Sequence, residues 1–195
     1  GVIMPDITNP FFPEVFSGID RAASEMGYTF FLCDTLGDTR KESQYLHMLR
    51  EKQVDGILFL GGRINLSKCD PELAEEVVET ASRIPTVLIS GNLPGASLHR
   101  VILNEAKGAE LATQFLIDAG HRSIAFIAGN EEMTTTAQKV RAFRRVMKKN
   151  GLETAKENVL YGDYSMASGE SSMEKILARR ERPTAVFCVN DLTAV

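Results

Sequence analysis

The chain has 195 residues, 44% hydrophobic and 25% charged, with 22 lysines and arginines against 26 acids. That composition excludes a disordered chain and suits one substantial core or two modest ones. A net charge of −4 and a pI near 5.5 give no overall attraction to nucleic acid or anionic membrane, so no DNA-gripping surface is expected in these residues.

No apolar run approaches the ~18 residues of a membrane span, and no charged and apolar leader stands before Gly1, so a chain without membrane contact is expected. Cys33, Cys69 and Cys188 are odd in number and widely spaced, two of them in apolar runs, which favours a reducing, cytoplasmic setting. His47, His99 and His121 are isolated and no Cys-x-x-Cys or His-x-x-x-His pair occurs, so neither a metal site nor a cofactor is expected.

In chain order, the short apolar runs GVIM, TFFLC (from Thr29), GILFL (from Gly56), TVLIS (from Thr86), RVIL (from Arg100), SIAFIA (from Ser123), NVLY (from Asn158) and AVFCV (from Ala185) predict eight strands. Between most of them the apolar spacing is near 3.6. Val15, Phe16, Ile19, Ala22, Ala23 and Met26 predict a helix that starts near Pro13 and stops at Gly27, and Val140, Phe143 and Met147 predict another over 137–150, stopped by Gly151. Alternation of strand and helix predicts parallel sheets with helices on both faces, and nearly all-apolar strands fit that burial. A repeated order of strand, polar loop, helix, glycine and strand, at GVIM…EMGYTFFL and VILN…DAGHRSIAFI, predicts two similar α/β halves, 1–103 and 104–195.

Ligands of open parallel sheets collect at the carboxyl ends of the strands. The loops there carry Asp6, Asp34, Asp163 and Asp191, for which turn closure or helix capping is the simplest role, with Asp191 read as the N-cap of a helix just beginning. No glycine-rich phosphate turn follows the first strand, the pair Gly61–Gly62 lacks the lysine and hydroxyl of a P-loop, and no Gly-x-Ser-x-Gly elbow exists, so an enzyme is not expected. Arg141, Arg144, Arg145, Lys148 and Lys149 form a stripe opposite an apolar helix face, read as a solvated surface. Phe11 and Phe12 stand beside turn formers. One ring suits a staple for the following helix, and an aromatic at the loop edge, with Asn9 and Thr8 nearby, suits a flat wall for a sugar or heterocycle.

The stretch GVIMPDITNPFFPEVFSGIDRAASEMGYTFFLCDT resembles the opening of the effector domain of lac repressor-type (LacI/GalR) transcription regulators. LREKQVDGILFL, FLIDAGHRSIAFIAG, VRAFRRVMKKNGL with GDYSMASG, and RPTAVFCVNDLTAV follow in the family's order. The resemblance implies a periplasmic-binding-protein-like α/β fold: two doubly wound parallel-sheet lobes around a ligand cleft, 1–103 the N-terminal lobe and 104–195 an incomplete C-terminal lobe. It implies a cytoplasmic, dimeric, non-enzymatic repressor-type regulator whose small-molecule effector, most often a sugar and sometimes a purine, controls operator DNA affinity through a helix-turn-helix not in this chain. The effector contacts it implies are Phe11, Phe12, Thr135, Lys139, Tyr164 and Asn190, with Asn9 added from its place in the loop. The chain is accordingly expected to be a piece of a longer protein. Two departures stand out: Lys139 where the family has arginine, and LNEAKG where many members have VDNxxG, so Asn104 replaces an acid and Glu105 an amide. An exported sugar-binding protein of a transporter is the alternative with the same fold.

Overall fold

A computed structural model describes residues 1–195. The chain divides into two compact units, Gly1–Leu103 and Asn104–Val195. In the first unit, β1 (Val2–Met4), β2 (Leu32–Asp34), β3 (Ile57–Leu60), β4 (Thr86–Ile89) and β5 (His99–Val101) form one sheet in the order β2-β1-β3-β4-β5. Every pairing is parallel. In the second unit β6 (Ile124–Ala128) lies between β7 (Val159–Tyr161) and β8 (Ala185–Cys188), again all parallel.

All eight expected strands form, each shorter than its apolar run. Alternation fails once: β4 reaches β5 through the loop 90–98 with no helix, where Pro94 and Gly95 break any periodicity. As an outer strand, β5 is exposed throughout, which departs from two-faced burial.

The helices are α1 (Phe11–Glu25), α2 (Thr39–Glu51), α3 (Pro71–Arg83), α4 (Glu105–Asp118), α5 (Thr134–Lys149) and α6 (Met166–Leu177). The first starts two residues before Pro13. Asn9 explains this: its Oδ1 accepts the Phe11 N–H at 3.2 Å and its carbonyl accepts the Phe12 N–H at 3.0 Å. Pro13 then sits in the first turn, where the missing N–H costs nothing. At the other end, Gly27 takes φ +77°, and paired bonds from Gly27 N–H to Ser24 O and from Tyr28 N–H to Ala23 O close the helix. Gly151, at φ +70°, repeats that closure after α5 with bonds to Lys148 O and, from Leu152 N–H, to Met147 O.

Each sheet packs its two faces on different helices. In the first unit, Ile3, Phe59 and Leu88 point into a core with Leu46 and Leu49 of α2 and Val77 of α3, while Val2, Met4 and Leu60 meet Phe12, Val15, Phe16 and Ile19 of α1. In the second, Phe126 and Ala128 pack with Val140, Phe143 and Met147 of α5 and Ile117 of α4, and Ala125 and Ile127 pack with Ile176 of α6. Each such fully buried large side chain contributes roughly 1.5–3 kcal/mol. No helix is long and apolar enough to cross a membrane.

Candidate effector-binding site

Both sheets share a topology. The chain runs from β1 to β2 on one side and then crosses to β3 on the other; it likewise runs from β6 to β7 and then crosses to β8. Reversal of direction leaves a crevice at the carboxyl ends of the two strands on either side of the switch, which is where open α/β sheets take ligands. The switch points are β1/β3 and β6/β8.

At the β1/β3 edge stand the loop Pro5–Pro10 and the start of α1. Asp6 Oδ1 accepts the Thr8 N–H at 2.8 Å and the Thr8 hydroxyl at 2.6 Å, closing the turn that presents Asn9, Phe11 and Phe12. The two rings meet edge to face, 5.2 Å between centroids. Phe12 is half-buried on Val2, Met4 and Leu60, and its Cε1 lies 3.7 Å from where a Cβ on Gly61 would stand, so it braces the end of β3. Phe11 is 42% exposed. Phe12 thus seals the core edge, and Phe11 is the more exposed ring of the pair. Asn9 is bound into the α1 cap, which limits what its carboxamide has left for a ligand.

The same edge is stiffened by a buried ion network that the sequence did not announce. Arg63 and Glu42 are both 0% exposed, with Nε to Oε2 at 2.6 Å. The other guanidinium nitrogens donate to the Leu73 and Thr39 carbonyls, to Ser43 Oγ and to Glu76 Oε2. One side chain thus ties the turn after β3 to α2 and α3. Burial pushes the Glu42 carboxyl above its ordinary 4.5, against the pull of Arg63. At Glu76 partial burial acts in the same sense, but hydrogen bonds from Ser43 and Arg63 and the nearby charges of Arg63 and Arg50 prevail, and its pKa falls below 4.5.

At the β6/β8 edge, Thr135, Thr136 and Lys139 come from the start of α5, Tyr164 from the turn before α6, and Asn190 from the end of β8. Tyr164 holds φ +72°, a conformation that costs a non-glycine residue on the order of 1 kcal/mol or more. Three contacts impose it. Its ring lies on Gly129, where a Cβ would come within 2.1 Å of Cε1; its hydroxyl is 2.7 Å from Thr136 Oγ1; and its carbonyl accepts the Asn190 Nδ2–H at 3.1 Å. Asn190 Oδ1 in turn accepts the Thr193 N–H at 2.9 Å. The side-chain cap at this turn is therefore Asn190 rather than Asp191, whose carbonyl accepts the Ala194 and Val195 N–H groups as in the first turn of a helix.

Lys139 spans the switch point. Its Nζ bonds Glu105 Oε2 at 2.9 Å and the Val189 carbonyl at 3.4 Å, so it links the first turn of α4 to the end of β8. Thr135 is half-buried on the same turn of α5 as Thr136. Thus Thr135, Thr136, Lys139, Tyr164 and Asn190 are gathered at one strand edge, and Asn9, Phe11 and Phe12 at the other unit's. Thr136, Glu105 and Gly129 escaped the candidate set. Gly129 ends the IAG motif, and a glycine at a strand end was the available sign of close approach. Nothing in the run Thr134–Thr136 told which hydroxyl turns inward. No group of three or more His, Cys, Asp or Glu that could hold a metal ion forms.

The family described as "Periplasmic binding proteins and sugar binding domain of LacI family" matches residues 1–195. The chain belongs to this family. Among curated relatives, the HTH-type transcriptional repressor PurR of Aliivibrio fischeri strain MJ11 is 36% identical over 197 residues, covering 100% of this chain and 57% of its own, and that of Vibrio vulnificus is 33% identical over 195 residues, with the same shares. The chain therefore spans little more than half the length of these relatives. Among solved structures, the transcription regulator CcpA of Lactococcus lactis superposes with a TM-score of 0.86 at 28% identity, over 100% of this chain and 69% of its own. A LacI family regulator of Lactobacillus casei with bound glucose shares the fold, with a TM-score of 0.81 at 23% identity, over 100% of this chain and 71% of its own. The LacI-type assignment places the chain among effector-binding domains with parallel-sheet lobes, as the ordered motifs implied.

Proposed function

We propose that this LacI-family chain is the small-molecule-sensing part of a cytoplasmic, homodimeric transcription repressor, and that ligand binding at the strand edges changes the affinity of a helix-turn-helix domain for operator DNA. The observation that carries this reading is the match of the whole chain to proteins named HTH-type transcriptional repressors. The transporter-receptor alternative draws support only from the breadth of the family description.

The effector contacts of this reading are Asn9, Phe11 and Phe12 at the first unit's strand edge and Thr135, Lys139, Tyr164 and Asn190 at the second unit's. An exposed aromatic ring at the first unit's strand edge suits one face of a sugar or flat heterocycle, and the hydroxyls, amide and ammonium at the second unit's edge suit its polar groups. Tyr164 and Asn190 act through shape as well as contact, because each holds the other in place. Ligand would favour one conformation over another by its differential affinity.

Two measurements test this. The gene sequence upstream of the Gly1 codon should encode a helix-turn-helix; a secretory signal there would replace the repressor with an exported receptor. A thermal-shift screen of monosaccharides and nucleobases on the intact protein should find a stabilising ligand, since binding adds RT ln(1 + [L]/Kd). Phe11→Ala should then weaken it by roughly 1–3 kcal/mol, as expected for removal of one stacking ring. Unchanged affinity in calorimetry would remove Phe11 from the effector contacts.

A further inference from the structure

The geometry points to Glu105 as a specificity-determining residue that makes the β6/β8 edge select neutral ligands and turn anions away. The inference rests on the effector-site reading above.

The edge is built in a way that would otherwise attract anions. The helices α4, α5 and α6 all begin there with the positive partial charge of a helix N-terminus, and Asn104 and Ser165 each cap one amide, of α4 and of α6. The first turn of α5 receives no side-chain cap from Met133. Lys139, on the next turn, adds a full positive charge in a half-buried position, its side chain 21% exposed. An ammonium beside open helix amides is a good receptor for phosphate or carboxylate.

Glu105 changes that. It is the first residue of α4, where the helix end favours its charge. Its Oε2 holds the Lys139 ammonium at 2.9 Å with its own side chain 19% exposed. The ammonium also donates to Val189 O. That leaves the remaining N–H of Lys139 and the second carboxylate oxygen of Glu105, neither with a partner in the protein. A hydroxyl or an amide-like ring edge can accept from the first and donate to the second, whereas an anion meets a carboxylate it cannot satisfy. Asp163 and Asp191, at the ends of β7 and β8, act in the same sense; Asp163 also closes its own turn through Ser165.

The test compares wild type, Glu105→Gln and Glu105→Gln/Lys139→Gln in the intact protein. Inorganic phosphate is titrated at low ionic strength while backbone amides of residues 134–139 are followed by NMR. Glu105→Gln should bind phosphate roughly three- to tenfold more tightly than wild type, the scale of one partly exposed ion pair, and the double variant should lose that gain. Equal phosphate affinity in wild type and Glu105→Gln, whether measurable or absent in both, overturns the inference. On wild type, thermal shifts with glucose, ribose and adenosine should exceed those with glucose 6-phosphate, ribose 5-phosphate and AMP. A larger shift with the phosphorylated partner also overturns it. If none of the six stabilises the protein, the effector-site reading loses its support for these compounds, and the phosphate comparison alone decides the role of Glu105.

Discussion

Arg63 is where charge and burial meet most sharply. A guanidinium at 0% exposure is stable only when paired and hydrogen-bonded on every side, and Glu42, Glu76, Ser43 and two carbonyls supply those partners. Glu76 is its exposed end, 44% open at the side chain. Because the folded state lowers the Glu76 pKa, its contribution is present above the ordinary value of 4.5 and is lost as pH falls through the lowered one. Urea unfolding of wild type and Glu76→Gln should therefore differ near neutrality and converge as pH drops below 4.5. A constant difference across that range would mean that Glu76 acts by shape and not by charge. None of this was legible beforehand. An arginine in a polar loop after Gly61–Gly62 reads as solvent-facing, and only the packing of α2 and α3 over the loop reveals otherwise.

At the scale of elements, the switch from β6 into α5 carries the most consequence. Gly129 leaves room for the Tyr164 ring, Thr136 receives its hydroxyl, and Asn190 holds its carbonyl. Gly129→Ala should displace the ring and cost about 1–3 kcal/mol in chemical unfolding, the usual range for overpacking. Gly108→Ala, within α4 and with open space around it, should be neutral or stabilising by up to about 1 kcal/mol. Equal effects at the two positions would show that the ring is not held as described. The helices and strands themselves were legible because periodicity reports burial directly: Val140, Phe143 and Met147 fall on one face of α5 and are all buried there. Their starts were less so. The α1 start depended on Asn9 capping, and the turn near the last residues depended on Asn190 rather than Asp191, since two adjacent polar residues offer equivalent caps until the backbone direction is known.

At the scale of the molecule there are two units, each with its own core. Cys33 is buried in the first and Cys188 half-buried in the second, so thiol labelling can follow the two cores separately. Glu42→Ala leaves the buried Arg63 guanidinium without its one fully buried carboxylate partner and should destabilise the first unit by about 3–5 kcal/mol. Labelling of Cys33 should accelerate while that of Cys188 stays near its wild-type rate. Equal acceleration of both would show that the two cores open as one cooperative block.

Composition, short apolar runs and their spacing determined the eight strands, the principal helices, the parallel α/β class and the ordered motifs of the LacI family, because each is a local pattern that reports how a segment is buried. Only the tertiary structure decided strand order, the two switch points, the burial of Arg63, the strained Tyr164 turn and the pairing of Lys139 with Glu105. Those residues are far apart in sequence, and the energy that sets them is the satisfaction of charges and hydrogen bonds by partners that packing alone brings near.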